Sequence, residues 1–213
     1  MPKSPREALQ FLKDGNTRFT QNIKKNIDLL QQRKQNQDRQ NPYAAIVSCI
    51  DSRITSELIF DLGLGDVFST RLAGNIITEN VLGSLEFCCK IAGASLVVIL
   101  GHTRCGAVSG ACDHVEMGNL TSLLNHILPS VVQETTVTED RTSKNYDFVN
   151  KVAKINVYRS VDITLEQSVL LRDLVENGDV AIIGAMYDVV SGTVEFFEDT
   201  YLCGEIRQVY HHS

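Results

Sequence analysis

Two rhythms of apolar residues alternate along this chain. YAAIVSC (Tyr43 to Cys49) and SLVVILG (Ser95 to Gly101) are nearly uninterrupted apolar runs, as expected of parallel strands buried on both faces. DVFSTR (Asp66 to Arg71) predicts a shorter strand. Asp179 to Tyr187 and Thr193 to Glu198 predict two more, joined through a Ser191-Gly192 turn. Between them the period changes. From Thr78 to Ile91 apolar residues recur at helical spacing (Val81, Leu82, Leu85, Phe87, Cys88, Ile91), and Gly93 is placed to end that helix. A short helix is expected near Ser56 to Leu62, and amphipathic helices at Leu120 to Val132 and Leu165 to Asn177. Thr135 to Tyr146 is polar and reads as an exposed connection. Strands alternating with helices imply an α/β domain with a largely parallel sheet.

The N-terminal stretch has a different character. SPRE (Ser4 to Glu7) is a capping box with proline at the first helical position, so a helix should start there with Ala8, Leu9, Phe11 and Leu12 on its apolar side. Asn22 to Asn41 is rich in Gln, Asn and Lys, and its apolar content is Ile23, Ile27, Leu29 and Leu30. It is too polar to form a core alone. The expected organisation is one domain over 1–213, with 1–41 as a helical arm packing on that domain or on a partner subunit. Lys24, Lys25, Arg33 and Lys34 read as a solvated face of the arm.

Composition narrows the function. The net charge of -6 argues against a general nucleic-acid binder. No apolar run is long enough for a membrane span, and the N-terminus has no apolar signal-peptide core. The expected location is cytoplasmic, unless a leader has been removed. Six cysteines in 213 residues, irregularly spaced, read as reduced thiols in a chain large enough to need no disulfides.

Two of those thiols and one imidazole fall where ligands bind. Cys49 ends the first apolar run, and His102 and Cys105 follow the second. In open α/β sheets, ligands sit beyond the carboxyl ends of strands. Two thiolates and one imidazole suit zinc, and three protein ligands leave a fourth position open. Two anionic thiolates also weaken zinc as a Lewis acid, so a carboxylate that orients the nucleophile is useful. Asp51 lies two residues after Cys49, on the same side of an extended chain. Arg53, two further on, can clamp Asp51 through a bidentate pair. If Arg53 lets go, Asp51 can itself take the fourth zinc position and close the site.

CIDSR, RLAGNII, SLEF, VVILGHTRCGAV and YDVVSGTV together resemble the β-class carbonic anhydrases, as does GNTRF (Gly15 to Phe19) near the N-terminus. The resemblance implies a four-stranded parallel core within a mixed sheet flanked by helices. It implies reversible hydration of CO2 to bicarbonate and a proton through zinc-bound hydroxide, in a homodimer or homotetramer. It carries Cys49, His102 and Cys105 over as zinc ligands, and Asp51 and Arg53 as the catalytic dyad. Two alternatives stay open: a carbonyl sulfide or carbon disulfide hydrolase of the same fold, and a catalytically silent zinc-stabilised protein that senses bicarbonate. Leu72 stands where the family usually has asparagine. Arg71 matches an arginine of the family's non-catalytic bicarbonate pocket, but the chain has no tryptophan to complete it.

The remaining candidates have plainer readings. Cys88, Cys89, Cys112 and Cys203 are expected to pack. His126 is expected on a helix surface. His114 is read as a surface histidine, with a proton relay as the alternative. Tyr187 either lines the site or is an ordinary strand tyrosine. His211 and His212 are assigned no role.

Overall fold

The computed structural model describes residues 2 and 4–204; His211 and His212 lie outside them. Helix α1 (Pro5–Thr20) begins as its sequence dictates, with Ser4 Oγ accepting from Glu7 N at 3.2 Å and proline at the first position. A short α2 (Leu29–Gln35) follows. The sheet then builds from β1 (Ala44–Ser48), β2 (Val67–Arg71), β3 (Leu96–His102), β4 (Ala181–Tyr187) and β5 (Val194–Leu202), in the order β2-β1-β3-β4-β5. The first four are parallel and β5 pairs antiparallel with β4, which is the expected mixed sheet with a four-stranded parallel core.

The uninterrupted apolar runs are explained by covering on both faces. Alternate residues of each strand go to opposite cores. Ala45, Val47, Val97, Ile99 and Ile182 face one side, against α4 (Glu79–Glu86), α5 (Gly106–Cys112), α7 (Leu128–Gln133), α8 (Tyr146–Gln167) and α9 (Val169–Glu176). Ala44, Ile46, Leu96, Val98, Leu100 and Ile183 face the other, against α1 and α3 (Ser56–Ile59). No helix among the described residues is long and apolar enough to cross a membrane.

Several expectations change. Leu120 to Val132 is not one helix: α6 (Gly118–Asn125) stops and α7 begins with Pro129 in its first turn, since proline cannot continue the ladder of the preceding helix. The Thr78 helix runs through α4 into a wider turn over Phe87–Ile91, which leaves Phe87 and Ile91 exposed. Phe11 is also exposed, with its ring edge-on to Tyr43. Leu165 to Asn177 divides at Ser168, which caps α9 by accepting from Leu171 N. The 22-residue α8 has no counterpart in the sequence reading. Cys203 is exposed, because β5 ends at Leu202 and the chain leaves the sheet there.

The arm between α1 and β1 touches the domain through polar contacts. Gln32 Oε1 accepts from Leu64 N at 3.0 Å, and Asn36 Nδ2 donates to Leu64 O at 2.7 Å. Lys25 N donates to Asp61, which also pairs with Arg18 of α1 at 2.6 Å. Its apolar residues Ile23, Leu29 and Leu30 remain exposed.

Candidate metal centre

Cys49 is the residue after β1, His102 the last of β3, and Cys105 the residue capping α5. Because β1 and β3 are adjacent and parallel, their carboxyl ends lie side by side. The Sγ atoms of Cys49 and Cys105 and a ring nitrogen of His102 lie within 4.8 Å of one another, and all three residues are buried. The two sulfurs are 3.9 Å apart, far beyond disulfide length. His102 Nδ1 lies 2.9 Å from Thr103 O. A carbonyl can only accept, so Nδ1 carries the proton and Nε2 presents a bare lone pair. That Nε2 is buried and has no hydrogen-bond partner among the described residues.

The thiols cannot both ionise comfortably without a cation. The contact with Cys105 pulls the Cys49 thiol down, with further help from His102 and from the N–H of Gly74; the Cys105 thiol is pushed up by Cys49 and by burial. One negative charge so placed resists a second at this distance. A divalent soft cation removes that conflict and occupies the orphaned imidazole nitrogen. The donor set therefore fits zinc. The other buried thiols behave differently: burial, chiefly, pushes Cys88 and Cys112 up to about 11 and Cys89 up to about 12, with Asp113 adding to Cys112 and Cys88 to Cys89, so they are inert packing groups.

Asp51 lies beside this cluster and is held by Arg53. Nε of Arg53 donates to Oδ1 at 2.9 Å and Nη2 to Oδ2 at 2.7 Å, a bidentate pair, and Arg53 N adds a third bond at 3.0 Å. The Arg53 side chain outweighs the effect of burial and pulls Asp51 down to about 2. Asp51 is not a member of the three-residue cluster, so its carboxylate is turned to Arg53 in this structure.

Residues around the cluster fix the backbone that carries it. Arg71, at the end of β2, donates through Nε to Cys49 O at 3.0 Å and through Nη2 to Asp51 O at 2.7 Å. Its guanidinium is thus committed to the loop that carries Cys49 and Asp51. Gly74 donates its N–H to Cys49 Sγ at 3.4 Å. Arg104, between His102 and Cys105, has φ +55, and its N–H is taken by Asn150 Oδ1 at 2.9 Å. A non-glycine residue in that region is costly and needs such support. Tyr187 pairs in register with His102 and is buried; Thr103 N donates to its carbonyl at 3.0 Å. His114 and His126 are exposed. Sequence reasoning gave Gly74 and Asn150 no role, and read Arg71 only against a non-catalytic bicarbonate pocket. Short motifs do not reveal backbone clamps, although an arginine at the end of a strand beside the Cys49 loop is a usable hint.

The carbonic anhydrase family model matches residues 44–194. Carbonic anhydrase 2 of Mycobacterium tuberculosis is 33% identical over 202 residues, 90% of this chain and 93% of its own length. The carbonic anhydrase of Mycolicibacterium smegmatis is 31% identical over 220 residues, covering 97% and 100%. Among solved structures, the β-carbonic anhydrase CafA of Aspergillus fumigatus superposes with a TM-score of 0.70 at 26% identity, covering 91% of this chain and 90% of that one. One of two tetrameric β-carbonic anhydrases from Sordaria macrospora gives 0.69 at 21% identity, covering 79% and 90%, a likeness of fold.

Proposed function

This chain belongs to the β-class carbonic anhydrase family, and on that premise we propose that it hydrates CO2 reversibly to bicarbonate and a proton, with zinc held by Cys49, His102 and Cys105. The observation that carries the proposal is the buried two-thiol cluster completed by an orphaned imidazole nitrogen, next to a carboxylate clamped by arginine. When bound, zinc supplies a Lewis acid that brings the pKa of water toward neutrality.

The chain's own groups supply orientation. Asp51, kept ionised by Arg53, accepts the O–H of the attacking water and so aims its oxygen lone pair at the carbon of CO2. Arg71 holds the carbonyls of Cys49 and Asp51, which fixes the spacing between the two side chains. One C–O bond forms, one C=O π pair moves onto oxygen, and one proton leaves to buffer. If Arg53 releases Asp51, the carboxylate is free to become a fourth ligand and close the site.

We read the whole chain as one carbonic anhydrase domain with 1–41 as its arm. Self-association into a dimer or tetramer would give the exposed Ile23, Leu29 and Leu30 of that arm something to cover. The free thiols suit a reducing compartment such as the cytoplasm. The test is stopped-flow CO2 hydration across pH, with zinc content measured on the same sample and carbonyl sulfide assayed in parallel. One zinc per chain with CO2 turnover is expected. A zinc-loaded protein inactive on CO2 at every pH would overturn the proposal, and turnover of carbonyl sulfide alone would reassign the substrate.

A further inference from the structure

Helix α8 packs against β3 and β4, and it also touches α5 and the Ala73–Asn75 turn. It approaches the sheet closely because two strand residues facing it are glycines. A Cβ at Gly101 would lie 2.5 Å from one methyl of Val157, and a Cβ at Gly184 would lie 2.8 Å from the other. The neighbour of Val157 is Asn156, which is buried, and both ends of its amide are engaged. Nδ2 donates to Gly74 O at 2.9 Å, and Oδ1 accepts from Ser130 Oγ of α7 at 3.4 Å. The same Gly74 donates its N–H to Cys49 Sγ. Gly74 has φ +70, and a Cβ there would meet Ile127 Cδ1 at 2.5 Å, so this residue has to be glycine, the one with the freest backbone. The N–H and C=O of Gly74 lie on two peptide planes joined at this freely rotating Cα, so an outside hold on one plane limits how far the other can turn.

From this relay we infer that Asn156 is a positioning residue of the metal centre: by gripping the Gly74 carbonyl, it keeps the Gly74 N–H on Cys49 Sγ. The inference rests on the zinc reading of the same site. A hydrogen bond to a thiolate withdraws electron density from sulfur and restrains its direction. Outer-shell partners of this kind commonly change metal affinity 10–100-fold. Losing the hold on Gly74 leaves the sulfur more electron-rich and less restrained.

The test replaces zinc by cobalt(II), whose thiolate charge-transfer band reports electron density at sulfur. Asn156→Ala should move that band to longer wavelength and speed zinc transfer to a chelator about tenfold. Ser130→Ala removes only the contact that orients the amide, and should move both readouts the same way by less. It also keeps the inference testable if Asn156→Ala does not fold. Val161→Ala makes a cavity in the same helix away from the site, and should lower the melting temperature with the band unmoved. Unshifted bands and wild-type release rates in the Asn156 and Ser130 variants would overturn the inference. A wild-type protein that shows no cobalt–thiolate band would instead overturn the metal reading, and this inference with it.

Discussion

Two acid–arginine pairs in this molecule use charge-assisted hydrogen bonds for different ends. Asp51 and Arg53 stand at the mouth of the cluster, two residues apart, and the arginine side chain is 50% exposed. Glu134 and Arg141 brace the loop after α7, and the glutamate side chain is 1% exposed. Glu134 is saturated. It accepts from Thr136 N, Thr136 Oγ1, Val137 N and Arg141 Nη1, while Arg141 also donates to the carbonyls of Val131 and Val137. Burial alone would push the Glu134 carboxyl up, but these donors outweigh it and hold it below the usual range. Among the described residues the Asp51 carboxylate takes its hydrogen bonds from Arg53, through the side chain and one backbone N–H. A carboxylate with many independent partners cannot leave. A carboxylate with one half-solvated partner can. The first arrangement is a brace, and the second is suited to a gate.

The largest effect expected from breaking this contrast is catalytic. Asp51→Asn should retain zinc and melt close to the wild type, yet lose about 10²–10⁴-fold in turnover, the usual weight of a positioned proton acceptor. Arg53→Ala should lose turnover comparably, with Asp51 now free to reach the metal. Near-wild-type turnover in either variant would remove the dyad from the mechanism. Glu134→Gln should do the opposite. Turnover per folded molecule should hold, while stability to urea falls by about 3 kcal/mol, the low end for breaking a buried pair. A loss under about 1 kcal/mol would mean the loop relaxes around the amide, and Glu134 is no brace.

A smaller effect appears with pH. The stability Glu134 contributes is fully present above its unfolded pKa of about 4.3 and drains as pH falls through the lower folded value. The wild type should therefore lose its advantage over Glu134→Gln only below about pH 4.3. Metal loss on acidification is common to both proteins and cancels in the difference. Parallel stability curves from pH 6 to pH 2 would show that the Glu134 carboxyl is not held down. Asp51 carries the same sign, with its window between about 3.9, its unfolded value, and about 2.

These pairs were not equally legible in the sequence, and the difference is physical. Asp51 and Arg53 are two residues apart beside a cysteine, so local spacing predicts their contact. The register of β1 with β3, which brings Cys49 to His102, follows from two apolar runs that each end in a ligand type. Arg141 sits in a stretch read only as a polar connection and Glu134 falls just before it, and two of the acid's partners are backbone amides that no motif announces. Helix α8 escaped for a related reason. Its buried face includes Asn156, Ser160 and Thr164, which break the apolar stripe that a periodicity search needs. Asn156 is polar there because it grips Gly74, 82 positions away in sequence. One of the residues that blur the helix pattern is the one the candidate site uses. Cys203 misled in the opposite direction, since a small apolar side chain says little about whether its strand has already ended.

The smallest expected effect is also the sharpest test of the contrast. A double-mutant cycle on Asp51 and Arg53, read as stability of the zinc-saturated protein, should give a coupling of about 0–1 kcal/mol. Half of the Arg53 side chain is in water, so solvent screens the pair, and Asp51, 16% exposed, keeps the backbone N–H of residue 53 when the guanidinium is removed. Raising salt from 0.05 to 1 M shortens the Debye length to about 3 Å, and the coupling should shrink further. The same cycle on Glu134 and Arg141 should give a larger coupling that survives the salt, because the glutamate is sealed from solvent. The gate reading requires this asymmetry: a clamp that must release a carboxylate cannot also be a major support of the fold. A coupling near 3 kcal/mol at Asp51–Arg53, insensitive to salt, would mean that the pair is as fixed as the Glu134 brace. Asp51 would then be locked in its orienting position, and closure of the site by that carboxylate would be ruled out.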